Sequence, residues 1–286
     1  MRIPPRLAPL IEYGVIDRVV RPLLSGKEAQ VYLVESGGEL RAAKVYKDRS
    51  ERSFKNKSSY TEERKVRNSR DRRALSKRSS KYGRTKDEEI WNSAEADTIY
   101  KLHDAGVRVP KPHTFIEGVL VMECVVDSEG LPAQRLADCR FTKAEAKSVF
   151  DALMGEIVGM LCADVVHADM SVYNVLFDGE GPVVIDFPQS IVASRNRNAR
   201  EILIRDVANI TSRFKFGRTR EQLRFAHEMW DLYENGELLP STKLTGEFDL
   251  PEHEVDAEML LEELLQMEED QVMYDEEDGG TFEFSE

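Results

Sequence analysis

The chain has 286 residues, 41% of them hydrophobic, enough to bury a sizeable core in one or two domains. Its net charge of −13 conceals a segregation, with Lys and Arg crowded between Arg41 and Lys86 and Asp and Glu beyond Glu247, so a basic face for an anionic partner and an acidic tail are expected. The three cysteines, Cys124, Cys139 and Cys162, lack metal-ligand spacing, and no apolar run has membrane-spanning length or a signal-peptide pattern; a disulfide scaffold and a membrane protein are set aside, and the chain reads as cytoplasmic.

In chain order, residues 1–20 form a Pro-bearing lead-in with room for one short helix. Leu23 to Val34 reads as strand, Gly turn and strand, and Gly37-Gly38 closes a hairpin onto a third strand, Leu40 to Tyr46. The turn Ser25-Gly26-Lys27 lets backbone N–H groups approach a phosphate, with Ser25 and Lys27 as added contacts. It is not a Walker A loop, because the Gly-rich front half is absent. In the third strand, period-two alternation places Ala42 and Lys44 on one face. A lysine in a half-buried strand is costly unless an anion meets it, and Arg41 to Tyr46 is similar to the strand that offers a lysine to nucleotide phosphates.

Residues 47–84 are a basic, Ser-rich insertion with few aromatics, suited to backbone-only contact with RNA or ribosomal phosphates, or to an acidic substrate. Thr85 and Glu88 make a capping box for a helix ending at Gly106. Glu95 falls within its apolar stripe and needs a cation, for which Lys44 is the candidate. Thr114 to Met122 is a second hairpin, turning at Glu117-Gly118. The chain then changes from apolar strand to polar loop at Glu123-Cys124-Val125, a hinge whose backbone can pair with an adenine edge, with Met122 behind it.

Thr142 and Glu145 cap a second amphipathic helix, which leads into Val165 to Gln189. Here His167-Ala168-Asp169 is followed five residues later by Asn174, and two short strands, Val175–Phe177 and Val183–Ile185, deliver Asp186. A carboxylate beside a hydroxyl, with an amide and a second carboxylate to hold Mg²⁺, is the set that phosphoryl transfer requires. The spacing H-x-D-x-x-x-x-N, then an apolar strand ending in Asp, matches the protein-kinase-like superfamily. Helices over 201–214 and from Thr219 through Tyr233 follow, then an acidic amphipathic helix from Val255 to Val272.

Taken together, VVHADMSVYNVLF, VVIDFPQS, SGKEAQVY, RAAKVYK and RDVANI resemble the RIO family of atypical protein kinases, over roughly Leu24 to Phe216. The resemblance implies an α+β, two-lobed protein-kinase-like fold with an antiparallel β-sheet N-lobe (21–122), a mainly helical C-lobe (123–235) and an acidic tail (236–286). It implies Asp169 as catalytic base, Asn174 and Asp186 as Mg²⁺ (or Mn²⁺) ligands, Lys44 gripping ATP, Glu95 orienting that lysine, and Glu123 and Val125 as hinge. The expected activity is transfer of the ATP γ-phosphate to a Ser/Thr hydroxyl of a protein substrate or of the chain itself. Asp186 as an aspartyl-phosphate acceptor would add an ATPase cycle. Two alternatives are an ATP-gated RNA- or ribosome-binding switch acting through 47–84, and a small-molecule kinase of the aminoglycoside or choline type. Arg200, Arg205 and Arg213, brought in by the 201–214 helix and the residue before it, disfavour the cationic substrates of that last class.

Overall fold

The computed structural model describes residues 3–26, 29–47, 94–212, 214 and 219–249. The basic insertion beyond Lys47, the Thr85–Glu88 cap, Lys27, Arg213 and the Val255–Val272 helix lie outside the described residues.

The first half is a five-stranded antiparallel sheet built from β1 (Arg18–Ser25), β2 (Ala29–Ser36), β3 (Glu39–Tyr46), β4 (Pro112–Ile116) and β5 (Val119–Glu123), in the order β1-β2-β3-β5-β4. β1 is an edge strand with two register shifts around Pro22, where a residue lacking an N–H is tolerated. The lead-in supplies α1 (Ala8–Glu12), whose Leu7 and Leu10 side pack with Val34, Val45, Val119 and Val121 on one sheet face. On the other side stands α2, helical over residues 94–104, which buries Ala96, Ile99 and Leu102 in the main core. β3 is central, and its residues from Ala42 to Tyr46 are all buried, as expected of a strand covered on both faces.

A short strand β6 (Gln134–Arg135) joins β8 (Val175–Phe177) and β9 (Pro182–Val184) in a second sheet, and β7 (Val165–Val166) pairs with β10 (Ile191–Val192). The helices are α3 (Lys143–Cys162), α4 (Ala199–Thr211) and α5 (Thr219–Glu234). The Thr142 capping box closes as expected: the Thr142 N–H donates to Glu145 Oε2 at 2.8 Å and the Glu145 N–H to Thr142 Oγ1 at 3.4 Å. Leu153, Ile157 and Leu161 of α3 are fully buried against β7, β9 and α5, forming the centre of the helical half.

Two boundaries differ from expectation. β9 ends at Val184, because the Ile185 N–H turns to the Asn174 carbonyl at 2.9 Å. Residues 199–211 form α4, and Phe214 beyond its end still packs against Phe150 with ring centroids 5.6 Å apart. The loop after α2 is tied to the second half by Arg108: its N–H donates to Glu156, its carbonyl accepts from the Val184 N–H, and its guanidinium meets Asp178 at 2.6 Å. A Cβ at Gly181 would lie 2.2 Å from Arg108 Nη1, so a side chain there would have to displace the guanidinium. All three cysteines are free thiols, and no helix among the described residues is long and apolar enough to cross a membrane.

The β4–β5 turn places Glu117 at φ 51° and Gly118 at φ 69°, the left-handed pair of a type I′ hairpin. A glutamate pays for that conformation where asparagine tolerates it. Glu117→Asn is expected to raise the urea unfolding midpoint, by about 0.5 kcal/mol of stability; an unchanged or lower midpoint would contradict the turn assignment.

Candidate active site

At the centre lies the Lys44 ammonium. Its Nζ donates to Glu95 Oε1 at 2.6 Å and to Asp186 Oδ1 at 2.5 Å, which joins β3, α2 and the loop after β9 at one atom. Burial alone would lower the pKa of Lys44, but the adjacent Asp186 and Glu95 charges outweigh it and raise the value above the ordinary lysine range. Asp186 shows the reverse balance: burial pushes its carboxyl up, and Lys44 pulls it further down, so it is held below the usual range. Glu95 Oε1 also accepts the Phe187 N–H at 3.2 Å, which fixes the residue following Asp186.

The 167–174 loop approaches from the helical half. His167 is buried between two fixed partners, with Nε2 3.1 Å from the Ile185 carbonyl and Nδ1 accepting the Asp169 N–H at 3.3 Å. Those contacts require the proton on Nε2, and burial lowers the histidine pKa, favouring that neutral form. The Asn174 amide donates to the Asp169 carbonyl at 2.8 Å, leaving its oxygen as an acceptor. Asp169 is held above the usual carboxylate range by burial and then by the negative charge of Asp186. Ala168 and Asp186 both adopt left-handed backbone, at φ 66° and 71°, a conformation that costs non-glycine residues roughly 1–2 kcal/mol each and concentrates at functional positions.

Sequence reasoning placed Asp206 on a helix but gave it no role. It is 2% exposed and accepts two backbone donors of the loop, the Ala168 N–H at 2.6 Å and the Met170 N–H at 3.2 Å. Arg205 beside it donates to the Ala168 carbonyl at 2.8 Å. The sequence signal was a lone acid on the inner stripe of a helix, which asks for donors without saying which.

Lys44, Asp169, Asn174 and Asp186 line a single cavity of about 510 Å³, together with Met122, Glu123 and Val125. Glu95 stands behind Lys44, fully buried, and is not itself in the lining. Of the Gly turn, Leu24 and Gly26 line the cavity. Ser25 ends β1, exposed and outside the lining, and Lys27 falls among the residues that are not described. A contact missed in the sequence steadies that turn: Lys47 Nζ donates to the Gly26 carbonyl at 2.7 Å.

A family model described as the RIO domain matches residues 30–226. Human serine/threonine-protein kinase RIO1 is 29% identical over 207 residues, covering 72% of this chain and 34% of that protein. The RIO-type serine/threonine-protein kinase Rio1 of Haloferax volcanii is 32% identical over 212 residues, covering 72% and 66%. The chain therefore spans about a third of one curated relative and about two thirds of the other. Among solved structures, the Rio2 kinase–ADP/Mg²⁺–phosphoaspartate complex of Chaetomium thermophilum superposes with a TM-score of 0.53 at 17% identity, covering 81% of this chain and 69% of that one. The fold is protein-kinase-like, with an antiparallel sheet followed by helices.

Burial pushes Asp206 up to about 7, against its two N–H donors and Arg205, which pull it down. A folded-state value above the unfolded one means that the native state holds the extra proton, so this group's contribution is greatest below pH 4 and declines as pH rises toward 7. Asp206→Asn is expected to flatten the fall in urea midpoint between pH 4 and 7, whatever it does to the midpoint itself. An unaltered slope would contradict the assignment.

Proposed function

The chain belongs to the RIO family, and from that premise we propose that it is an ATP- and Mg²⁺-dependent serine/threonine protein kinase that transfers the γ-phosphate to a Ser or Thr hydroxyl, its own included. The observation that carries this reading is the bridging of Lys44 between Glu95 and Asp186, in one cavity with Asp169 and Asn174. The relatives, named as protein kinases, favour a protein acceptor over a small molecule.

The donor set fits Mg²⁺. The amide oxygen of Asn174 and the carboxylate of Asp186 are hard oxygen ligands, and the amide nitrogen of Asn174 is already committed to the Asp169 carbonyl. When bound, the ion would neutralise charge developing on the phosphate oxygens. Lys44 binds the phosphate chain, held in place by Glu95. The Glu123 N–H is donated to the Lys111 carbonyl at 2.8 Å and the Val125 carbonyl accepts from Ala133 at 2.9 Å. The Glu123 carbonyl and Val125 N–H are thus the pair assigned to the adenine edge, with Met122 against the base. Asp169 accepts the acceptor hydroxyl's proton as oxygen attacks the γ-phosphorus and the bond to the ADP oxygen breaks.

A second reading makes Asp186 the acceptor. Its support is the phosphoaspartate named in the Chaetomium relative and the position of the Asp186 carboxylate in the cavity, with one oxygen held by Lys44. Here an Asp186 oxygen attacks the γ-phosphorus, ADP leaves, and water later releases phosphate and restores the carboxylate.

Incubation with γ-labelled ATP should place acid-stable label on Ser or Thr of the wild type and reduce it at least a hundredfold in Asp169→Ala; equal labelling would remove Asp169 from the mechanism. Label that hydroxylamine strips, and that Asp186→Asn lacks, would instead identify the aspartyl-phosphate. Because Asp169 must be ionised and its pKa is raised, the acidic limb of kcat/KM should fall above the ordinary carboxylate value of about 4. A limb at or below that value would exclude the assigned base.

A further inference from the structure

Among the described residues, the cavity holds one cation that the proposed chemistry leaves unused. Lys44 is shared by two carboxylates. Arg135 also lines the cavity, and no carboxylate among the described residues pairs with its guanidinium. It sits on β6, whose backbone is fixed twice: Arg135 faces Leu176 of β8 in register, and its carbonyl accepts from the Asp138 N–H at 2.9 Å and from Cys139 Sγ at 3.2 Å. The next residue, Leu136, is fully buried and donates its N–H to the Val175 carbonyl at 2.8 Å. The strand that carries Arg135 is therefore rigid, while its side chain is only half-buried and faces the same space as Asn174, Tyr173 and Asp186.

An arginine beside a cavity normally finds a carboxylate of its own protein, and three are at hand. Asp186 is taken by Lys44, the Glu123 carboxylate accepts the Lys111 N–H at 3.0 Å, and Asp169 faces Arg205 across the loop. Arg135 is close enough that its charge helps to hold Asp186 below the usual carboxylate range, yet it makes no direct pair there. A planar fork of donors on a fixed strand, half-desolvated and unpaired, is suited to a phosphate oxygen pair.

We infer that Arg135 is a second cationic contact to the phosphate chain of the bound nucleoside triphosphate, reaching it from the helical half while Lys44 reaches it from the sheet. This rests on the nucleotide reading of the cavity. It makes phosphate number, and not base or ribose, the feature that Arg135 reads, and it places one positive group on each wall of the cleft. A bound triphosphate then bridges the two halves.

The test is titration of the full chain and its Arg135→Gln and Arg135→Lys variants with Mg²⁺-ATP, Mg²⁺-ADP and adenosine by calorimetry. Arg135→Gln should weaken ATP about tenfold or more and leave adenosine unchanged, the loss expected for one charge-assisted contact. Arg135→Lys should recover part of it, since charge returns without the fork. Unchanged ATP affinity in Arg135→Gln, with wild type binding ATP, overturns the contact but not the nucleotide site. An equal loss for adenosine also overturns it, and points to a role in shaping the pocket. Unchanged nucleotide affinity with a raised KM for an acidic peptide acceptor overturns it in favour of acceptor recognition. A wild type that binds none of the three overturns the nucleotide reading itself.

Discussion

One ammonium group between two carboxylates is the constraint on which the rest depends. Burying Lys44 without partners would cost several kcal/mol, and the fold meets that cost by bringing an acid from each side: Glu95 from α2 and Asp186 from the loop after β9. A buried ion pair of this kind is weak evidence for stability, since well-packed apolar residues serve as well or better. It is better understood as a device of position. Three elements far apart in the chain, with Glu95 51 positions and Asp186 142 positions beyond Lys44, must converge for these charges to be satisfied.

The charge count around that point explains the chemistry the cavity favours. Lys44 contributes one positive charge against Glu95, Asp186 and, on the facing loop, Asp169. The surplus is negative, which by itself repels a triphosphate and favours a divalent cation, so a triphosphate would enter with less repulsion beside such an ion. The raised pKa of Asp169 belongs in part to the same balance: burial raises it first, and Asp186 then disfavours a second nearby negative charge. Arg135 lies at the edge of this field and offsets part of it from the opposite wall.

Much of this was legible in the sequence. Residue type and spacing were enough for Lys44 on an alternating strand, Asp169 and Asn174 five apart, and Asp186 after an apolar run, because each is local and each residue type has few other uses there. The antiparallel sheet followed from Gly-containing turns between short apolar runs, and the Thr142 box from two residues three apart. What stayed hidden depends on tertiary contact. Asp206 read only as an acid on a helix, since its donors at Ala168 and Met170 lie 38 and 36 residues away. The Arg108 tie to Glu156, Asp178 and the hairpin backbone leaves no periodic trace. Arg135 could not be singled out among the arginines, because what distinguishes it is its place in the cavity lining with no carboxylate partner among the described residues. Ser25 reads as a phosphate contact from the Gly turn beside it; it ends β1, exposed and outside the cavity lining.

Glu95 has a further consequence through its geometry. Its Oε1 accepts from both Lys44 Nζ and the Phe187 N–H, so one oxygen sets the position of the lysine and of the chain just after Asp186. Asp186 holds left-handed backbone that an L-residue does not choose unaided, and the bond to Phe187 is the adjacent restraint that keeps it there. A shift of α2 by a few ångströms would therefore release the Lys44 pair, the Phe187 bond and the support for the Asp186 conformation together. Because packed, hydrogen-bonded elements change between discrete arrangements and do not deform smoothly, the placement of the Asp186 carboxylate and of the Lys44 ammonium would be lost or gained as a unit. Arg108 opposes that shift, anchoring the C-terminal end of α2 to α3 and to the β8–β9 hairpin.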